Sequence, residues 1–172
     1  MNVFFLDVDP RLAAQAHVNT HTNGMIKEAA QMLSAAHILC PETEPDPALY
    51  KLTHQHHPST RWVRQSAANY WWTYRLMLEI GREYTYRYWR THATITRLAD
   101  VLRHIPVSIY EAHGGNPNWT PSPPPPAMDD EFKLYPTPRT LEESVANYRN
   151  YYKHGKADLH RWTRRSPPEW IK

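Results

Sequence analysis

Residues 21–41 read HTNGMIKEAAQMLSAAHILCP, and Met25, Ile26, Ala29, Met32, Leu33 and Ala36 recur within them at spacings of three and four. That period places one apolar stripe on a helix, and the stretch predicts a buried helical face that ends at Pro41. The preceding VNTHTNG, residues 18–24, has the composition of a turn. Upstream, NVFFLDVDP opens with a short apolar run, after which Asp9 as cap and Pro10 in the first turn start a helix from Pro10 to about Val18. Downstream, residues 41–58 hold four prolines and no sustained period, which marks a surface connection. Helical character returns from Ser59, with Asn69 as a break and new cap before a long helix to about Arg90. On it Tyr70, Tyr74, Met77, Ile80 or Gly81, Tyr84 and Tyr88 form a stripe of core type. ATITRLADVLRHI, residues 93–105, reads as one more amphipathic helix stopped by Pro106. The stretch from 106 to about 138 is irregular and proline-rich, favouring an extended conformation that wraps the domain or lines a groove; HGGNP within it reads as a turn. Thr140 and Glu143 make a capping box for a helix ending near Gly155, followed by a basic tail. With no repeat and no alternating strand pattern, the expected class is all-α: one compact helical domain over residues 1–172 with long Pro-rich loops.

The chain has 41% hydrophobic residues, but seven Trp and eleven Tyr carry much of that bulk, so its apolar area comes with polar handles and stacking faces. Net charge is only +3, yet it is unevenly spread. Residues 1–60 hold three Lys/Arg against six Asp/Glu, and residues 61–103 hold eight against three. Residues 104–148 hold two against six, and residues 149–172 seven against two. Two basic blocks thus flank an acidic connection; together in space they make a face for phosphates, and apart they are ordinary solvated surface. A single Cys, Cys40, excludes an intrachain disulfide and fits a reducing compartment. No apolar run approaches the roughly 18 residues of a membrane span, so a soluble, cytoplasmic protein without membrane association is expected.

For chemistry, His17 and His21 stand four apart and His54, His56 and His57 cluster, but neither paired cysteines nor a Glu in a zinc-binding motif accompanies them, so no metal is expected. Only five glycines occur, none in a phosphate loop, and no serine sits in a Gly-flanked elbow, so neither a cofactor nor a serine nucleophile is expected. What remains is carboxylate chemistry. Glu28 borders the apolar face of its helix, where partial burial suits it to proton transfer; the alternative is a carboxylate that merely favours the helix N-terminus. His21 lies at the helix entrance and Gln31 one turn beyond Glu28. Glu83 reads as an ion-pair partner of Arg87 at i+4. HPSTRWVRQSAANYWW, residues 57–72, offers His57, Arg61, Arg64, Ser66, Asn69 and Tyr70 for phosphate contacts, hydrogen bonds and stacking on a nucleotide. Near the end, Arg149, Tyr152, Lys156 and Trp162 belong to a run that interleaves aromatics with cations, a composition suited to nucleic acid.

Taken together, FLDVDPRLAAQAHVNTHTNGMIKEAAQMLSAAH, HPSTRWVRQSAANYWW, EYTYRY, TPSPPPPAMDDEF and YRNYYKHGK resemble a pattern found in small proteins of tailed bacteriophages. More distantly, the early helix with a Glu, the His-Pro before an aromatic, Arg-bearing helix, and YYKHGKA are similar to the phage pyrimidine-dimer DNA glycosylases of the endonuclease V type. That resemblance implies a compact all-α protein of the infected bacterium's cytoplasm that cleaves N-glycosidic bonds of damaged pyrimidines. An N-terminal amine would attack the sugar C1′, Glu28 would be the catalytic carboxylate with His21 beside it, and Arg87 with other arginines would grip phosphates of a kinked DNA. Here Asn19 and Gly24 stand where the phage pattern has an acidic residue and a Lys. Two other functions fit the same residues: a non-catalytic binder of nucleotides or host defence signals, and a factor that binds a host protein through its aromatics and Pro-rich loop.

Overall fold

The computed structural model describes residues 1–40, 44–112 and 120–172. Among them the regular structure is helical: α1 (Pro10–Ala16), α2 (Asn19–Leu39), α3 (Pro58–Val63), α4 (Ala67–Tyr88), α5 (Ala93–Leu98), α6 (Val107–Glu111) and α7 (Leu141–Gly155), with short 3₁₀ turns between and after them. The all-α expectation holds. The long pair α2 and α4 forms the centre, with α1 laid against α4 and α3 against both. Their shared core is made by Met25, Ile26, Met32 and Leu33 of α2 with Tyr70, Leu76, Met77 and Ile80 of α4. No described helix is long and apolar enough to cross a membrane.

The N-terminal segment runs through this core with a tight turn at Phe4, φ 37°, whose carbonyl accepts the Leu6 N–H, and Val3, Phe4, Phe5 and Leu6 are all buried. Phe5 packs on Trp72 with ring centroids 4.3 Å apart, and Phe4 stacks on His21 at 4.4 Å. Burying four consecutive apolar residues requires partners on both faces of the segment. The second face is supplied by α7, whose Tyr148 and Tyr152 are fully buried against Phe4.

The described part of the proline-rich stretch from Thr120 onward packs across the domain as a strap. Ser122 N–H donates to Asn69 Oδ1 at 2.9 Å, Trp62 Nε1 donates to the Ser122 carbonyl, and the hydroxyls of Ser144 and Tyr148 donate to the carbonyls of Pro124 and Pro125. Prolines lack the N–H, so an extended run of them keeps its carbonyls free for such side-chain donors.

Several boundaries differ from expectation. Residues 19–24 are helical, not a turn, because Val18 caps α2 in extended conformation and Asn19 is held from outside by Thr163. The break before α4 is capped by Ser66, whose hydroxyl accepts the Asn69 N–H, while Asn69 itself is buried in the helix. Residues 93–105 split into α5 and a 3₁₀ turn, and α6 lies inside the stretch read as loop. The capping box is partly formed: Thr140 accepts the Glu143 N–H, and the Glu143 carboxylate accepts the Arg139 N–H instead of that of Thr140. Pro41 and HGGNP lie outside the described residues.

Candidate active site

Glu28 stands on the half-exposed flank of α2, beyond the buried Met25 and Ala29. Its Oε2 accepts the Asn2 N–H at 2.8 Å, and the Met1 amine nitrogen lies 3.7 Å from the same oxygen. The Met1 side chain is only 3% exposed and the Thr60 hydroxyl donates to its sulfur, so the first residue is anchored on the α3 side while its nitrogen faces the carboxylate. Asn2 fixes the approach. Its Oδ1 accepts the N–H groups of Val3 and Phe4, and its Nδ2 donates to the strap carbonyl of Ala127 at 2.8 Å. A carboxylate, an amine and a backbone cradle built from α2, the N-terminal segment and the strap therefore converge on one point.

His57 borders this point. It caps α3 by accepting the Ser59 N–H on Nδ1, and its pKa is lowered first by burial, then by the positive N-terminal amine and by His54, with Glu28 opposing. An imidazole that senses both amine and carboxylate stays neutral and available for hydrogen bonding near pH 7. Gly24, one turn before Glu28 on α2, leaves open space: a Cβ there meets nothing within 4 Å.

His21 occupies a different environment. Its Nδ1 is hydrogen-bonded to the Tyr152 hydroxyl at 2.8 Å, its ring stacks on Phe4, and burial, followed by the charge of Lys156, lowers its pKa to about 4. The structure thus gives His21 a positioning place at the core edge, while the imidazole whose charge is felt by the amine and Glu28 is that of His57. His17, which ends α1 outside any helix shared with His21, is fully buried and lowered to about 3 by burial first. Among the described residues no three His, Cys, Asp or Glu side chains are arranged to hold a metal.

The remaining candidate contacts divide. Arg61 is exposed, Arg64 and Gln31 are half-exposed, and Lys156 lies half-exposed with its Nζ 4.8 Å over the Tyr151 ring. Others are tied into the framework: Asn69, Tyr70, Tyr152 and Arg87 are buried, a correction to their reading as ligand contacts, while Ser66, Arg149 and Trp162 are half-exposed. Asn69 holds the strap and the Trp62 carbonyl; Tyr70 donates to the Leu102 carbonyl and meets His37 Nε2. Tyr152 accepts the Val18 N–H, and Ser66 is a cap. Arg87, buried, reaches Glu83 at 2.7 Å and the carbonyls of His17 and Gln15. Arg149 is spent on the Leu6 carbonyl and Asp7, and Trp162 Nε1 donates to the Ala16 carbonyl. Each of these polar groups is engaged by the fold. Asn19 has the same kind of role, since its amide bonds Arg87, the Thr163 N–H and the Thr163 hydroxyl.

Comparison of the chain with protein families, curated proteins and solved structures returns no match.

Proposed function

We propose that this protein processes nucleic acid as a DNA glycosylase/AP lyase on modified or damaged pyrimidines, with the Met1 amine as nucleophile and Glu28 as its proton acceptor. The observation that carries the reading is the amine nitrogen 3.7 Å from Glu28 Oε2, held there by a buried Met1 side chain and the Asn2 cradle. A primary amine aimed at a carboxylate is an arrangement for covalent catalysis at an electrophilic carbon.

In the step this implies, the neutral amine bonds to C1′ of a sugar while the C1′–N bond breaks and its electron pair leaves with the base. The proton shed by the nitrogen passes to the Glu28 carboxylate, and the departing base takes one from water. As the sugar ring opens, protonated Glu28 gives its proton to the ring oxygen and the nitrogen's electron pair closes the C1′=N bond; the hydroxide left by the base's protonation takes the nitrogen's remaining proton, leaving an imine between protein and sugar. In this reading His57 hydrogen-bonds the sugar or base, and Arg61 and Arg64, on the same short helix and its end, meet phosphates.

Ultraviolet-irradiated plasmid incubated with the protein and borohydride tests this. Nicking and a covalent protein–DNA adduct are expected, with intact mass placing the adduct on Met1. Glu28→Gln lowers the trapping rate by at least about a hundredfold, the usual worth of a positioned proton acceptor. Neither nicks nor an adduct from the wild type would sink the reading.

A further inference from the structure

Trp89 ends α4 in the left-handed conformation, φ 56° and ψ 31°, and is 78% exposed. Helices commonly end this way, but with glycine at the position, because a Cβ is crowded there. A bulky aromatic at such a place is strained and, this far into solvent, is not repaid by burial. Directly across from it Arg164 is also left-handed, φ 59°. Its guanidinium lies 4.4 Å over the Trp89 ring and 5.2 Å over that of Tyr86, which is itself exposed. The Tyr86 hydroxyl donates to the Arg164 carbonyl at 3.0 Å and so fixes the loop against the helix.

The charges differ from those elsewhere on this side of the molecule. A cleft of about 530 Å³ between α1 and the tail contains Arg149, Arg164 and Arg165. Arg149 is paired with Asp7 and Arg165 with Glu83, whereas among the described residues no carboxylate pairs with Arg164. Arg90 and Arg161, both exposed, flank the pair in the chain, again without a carboxylate partner among the described residues. The surface is thus one exposed indole backed by a stacked guanidinium, and of the two carboxylates lining the adjoining cleft Asp7 is paired with Arg149, while Glu169 is exposed without an ion pair among the described residues.

We infer that Trp89 and Arg164 form a stacking platform for an unpaired base of a nucleic-acid strand, with the neighbouring arginines on its phosphates. Base–aromatic stacking tolerates any sequence, and an arginine behind the ring adds cation–π attraction. Arg87, two residues before Trp89, bonds Asn19, which bonds Thr163 beside Arg164. The two platform residues are therefore tied through their neighbours to Asn19, the first residue of α2, which lies about 13 Å along the helix axis from Glu28. The inference rests on the nucleic-acid part of the proposed function but needs no chemistry at Glu28.

Fluorescence anisotropy of a labelled thymine-rich single strand titrated with the full chain tests it. Trp89→Gly removes the ring and relieves the left-handed strain, so the variant folds with a thermal midpoint no lower than wild type yet binds about five- to a hundredfold more weakly. Trp89→Tyr retains most of the affinity, and Arg164→Asn, tolerant of the same backbone, loses part of it. Wild-type affinity in both Trp89→Gly and Arg164→Asn overturns the platform, as does displacement of the strand by polyglutamate as readily as by unlabelled DNA, which would mark an acidic-protein surface. Borohydride trapping is scored separately. No trapping together with Trp89-dependent binding sinks the glycosylase and leaves the platform standing, and trapping with Trp89-independent binding does the reverse.

Discussion

Gly24 leaves bare the one turn of α2 that precedes Glu28, and its backbone is ordinary right-handed helix, so no turn or left-handed angle requires glycine there. A glycine within a helix costs roughly 0.5–1 kcal/mol relative to alanine, through the freedom it must lose on folding. A Cβ at Gly24 meets nothing within 4 Å, so nothing offsets that cost through packing. Gly24→Ala is therefore expected to raise stability by about 0.5–1 kcal/mol, read as a higher urea midpoint at unchanged slope. Because the added methyl is small and points into open space, trapping activity should remain if the groove needs only a clear floor. Loss of activity with gained stability would show that substrate backbone approaches α2 at this residue. Either way the position separates stability from function in one variant, which Glu28 cannot do, since its carboxylate both accepts the Asn2 N–H and faces the amine.

The α4 helix is tied to its neighbours by Glu83, 5% exposed, which takes Arg87 from its own helix and a two-point contact from Arg165 of the tail. Arg87 in turn donates to the last carbonyls of α1 and to Asn19 at the start of α2. Removing one member of a buried pair leaves the other charged and unmatched, a loss of about 3–5 kcal/mol. Glu83→Gln, which keeps the shape but not the charge, should lower the unfolding free energy by that order in a denaturant titration; a change below about 1 kcal/mol would show that water reaches the pair. The Glu83–Arg87 pair was legible from i+4 spacing, but Arg165 was not, because nothing local links a tail residue to α4. The same division runs through the elements. Long apolar periods in α2 and α4 announced both helices, whereas the first turn of α2 carries Asn and Thr, whose turn preference is overridden by a tertiary contact with Thr163. Asn69 resembled a cap because the two helices run together without a break in period, and only the geometry shows Ser66 in that role. Glu28 could be singled out from its place beside the apolar stripe. Its partner, the N-terminal amine, came only from the resemblance and not from spacing, since the amine arrives by way of a segment whose sequence signals only burial. Trp89 gave no signal at all, a left-handed cap being expected at glycine.

At the scale of the whole molecule, the N-terminal segment, α1, α2 and α7 meet around Phe4, His17, His21 and Tyr152, and the strap closes over the far side. Two imidazoles therefore sit where four parts of the chain join, and stability must follow their protonation. Burial, with Lys156 adding to it at His21 and with His21 and Arg87 adding to it at His17, holds the folded values at about 4 and about 3, while unfolded histidine titrates near its ordinary 6.5. Above about pH 6.5 neither state binds these protons and they do not affect folding. As the pH falls below that value the unfolded chain takes up protons that the native chain refuses, so the native state loses ground by about 1.4 kcal/mol per pH unit for each histidine. The loss from His21 levels off near pH 4 and that from His17 near pH 3. His57 and His92, also lowered mainly by burial, act in the same direction. The urea midpoint should accordingly drop steeply between pH 7 and pH 5, before most carboxylates titrate, and His21→Asn should flatten that slope even if it lowers the midpoint at pH 7. A midpoint constant from pH 7 to pH 5 would mean that water or a moving segment reaches both rings, and that the junction through which α2 and α7 hold the amine against Glu28 is open in solution.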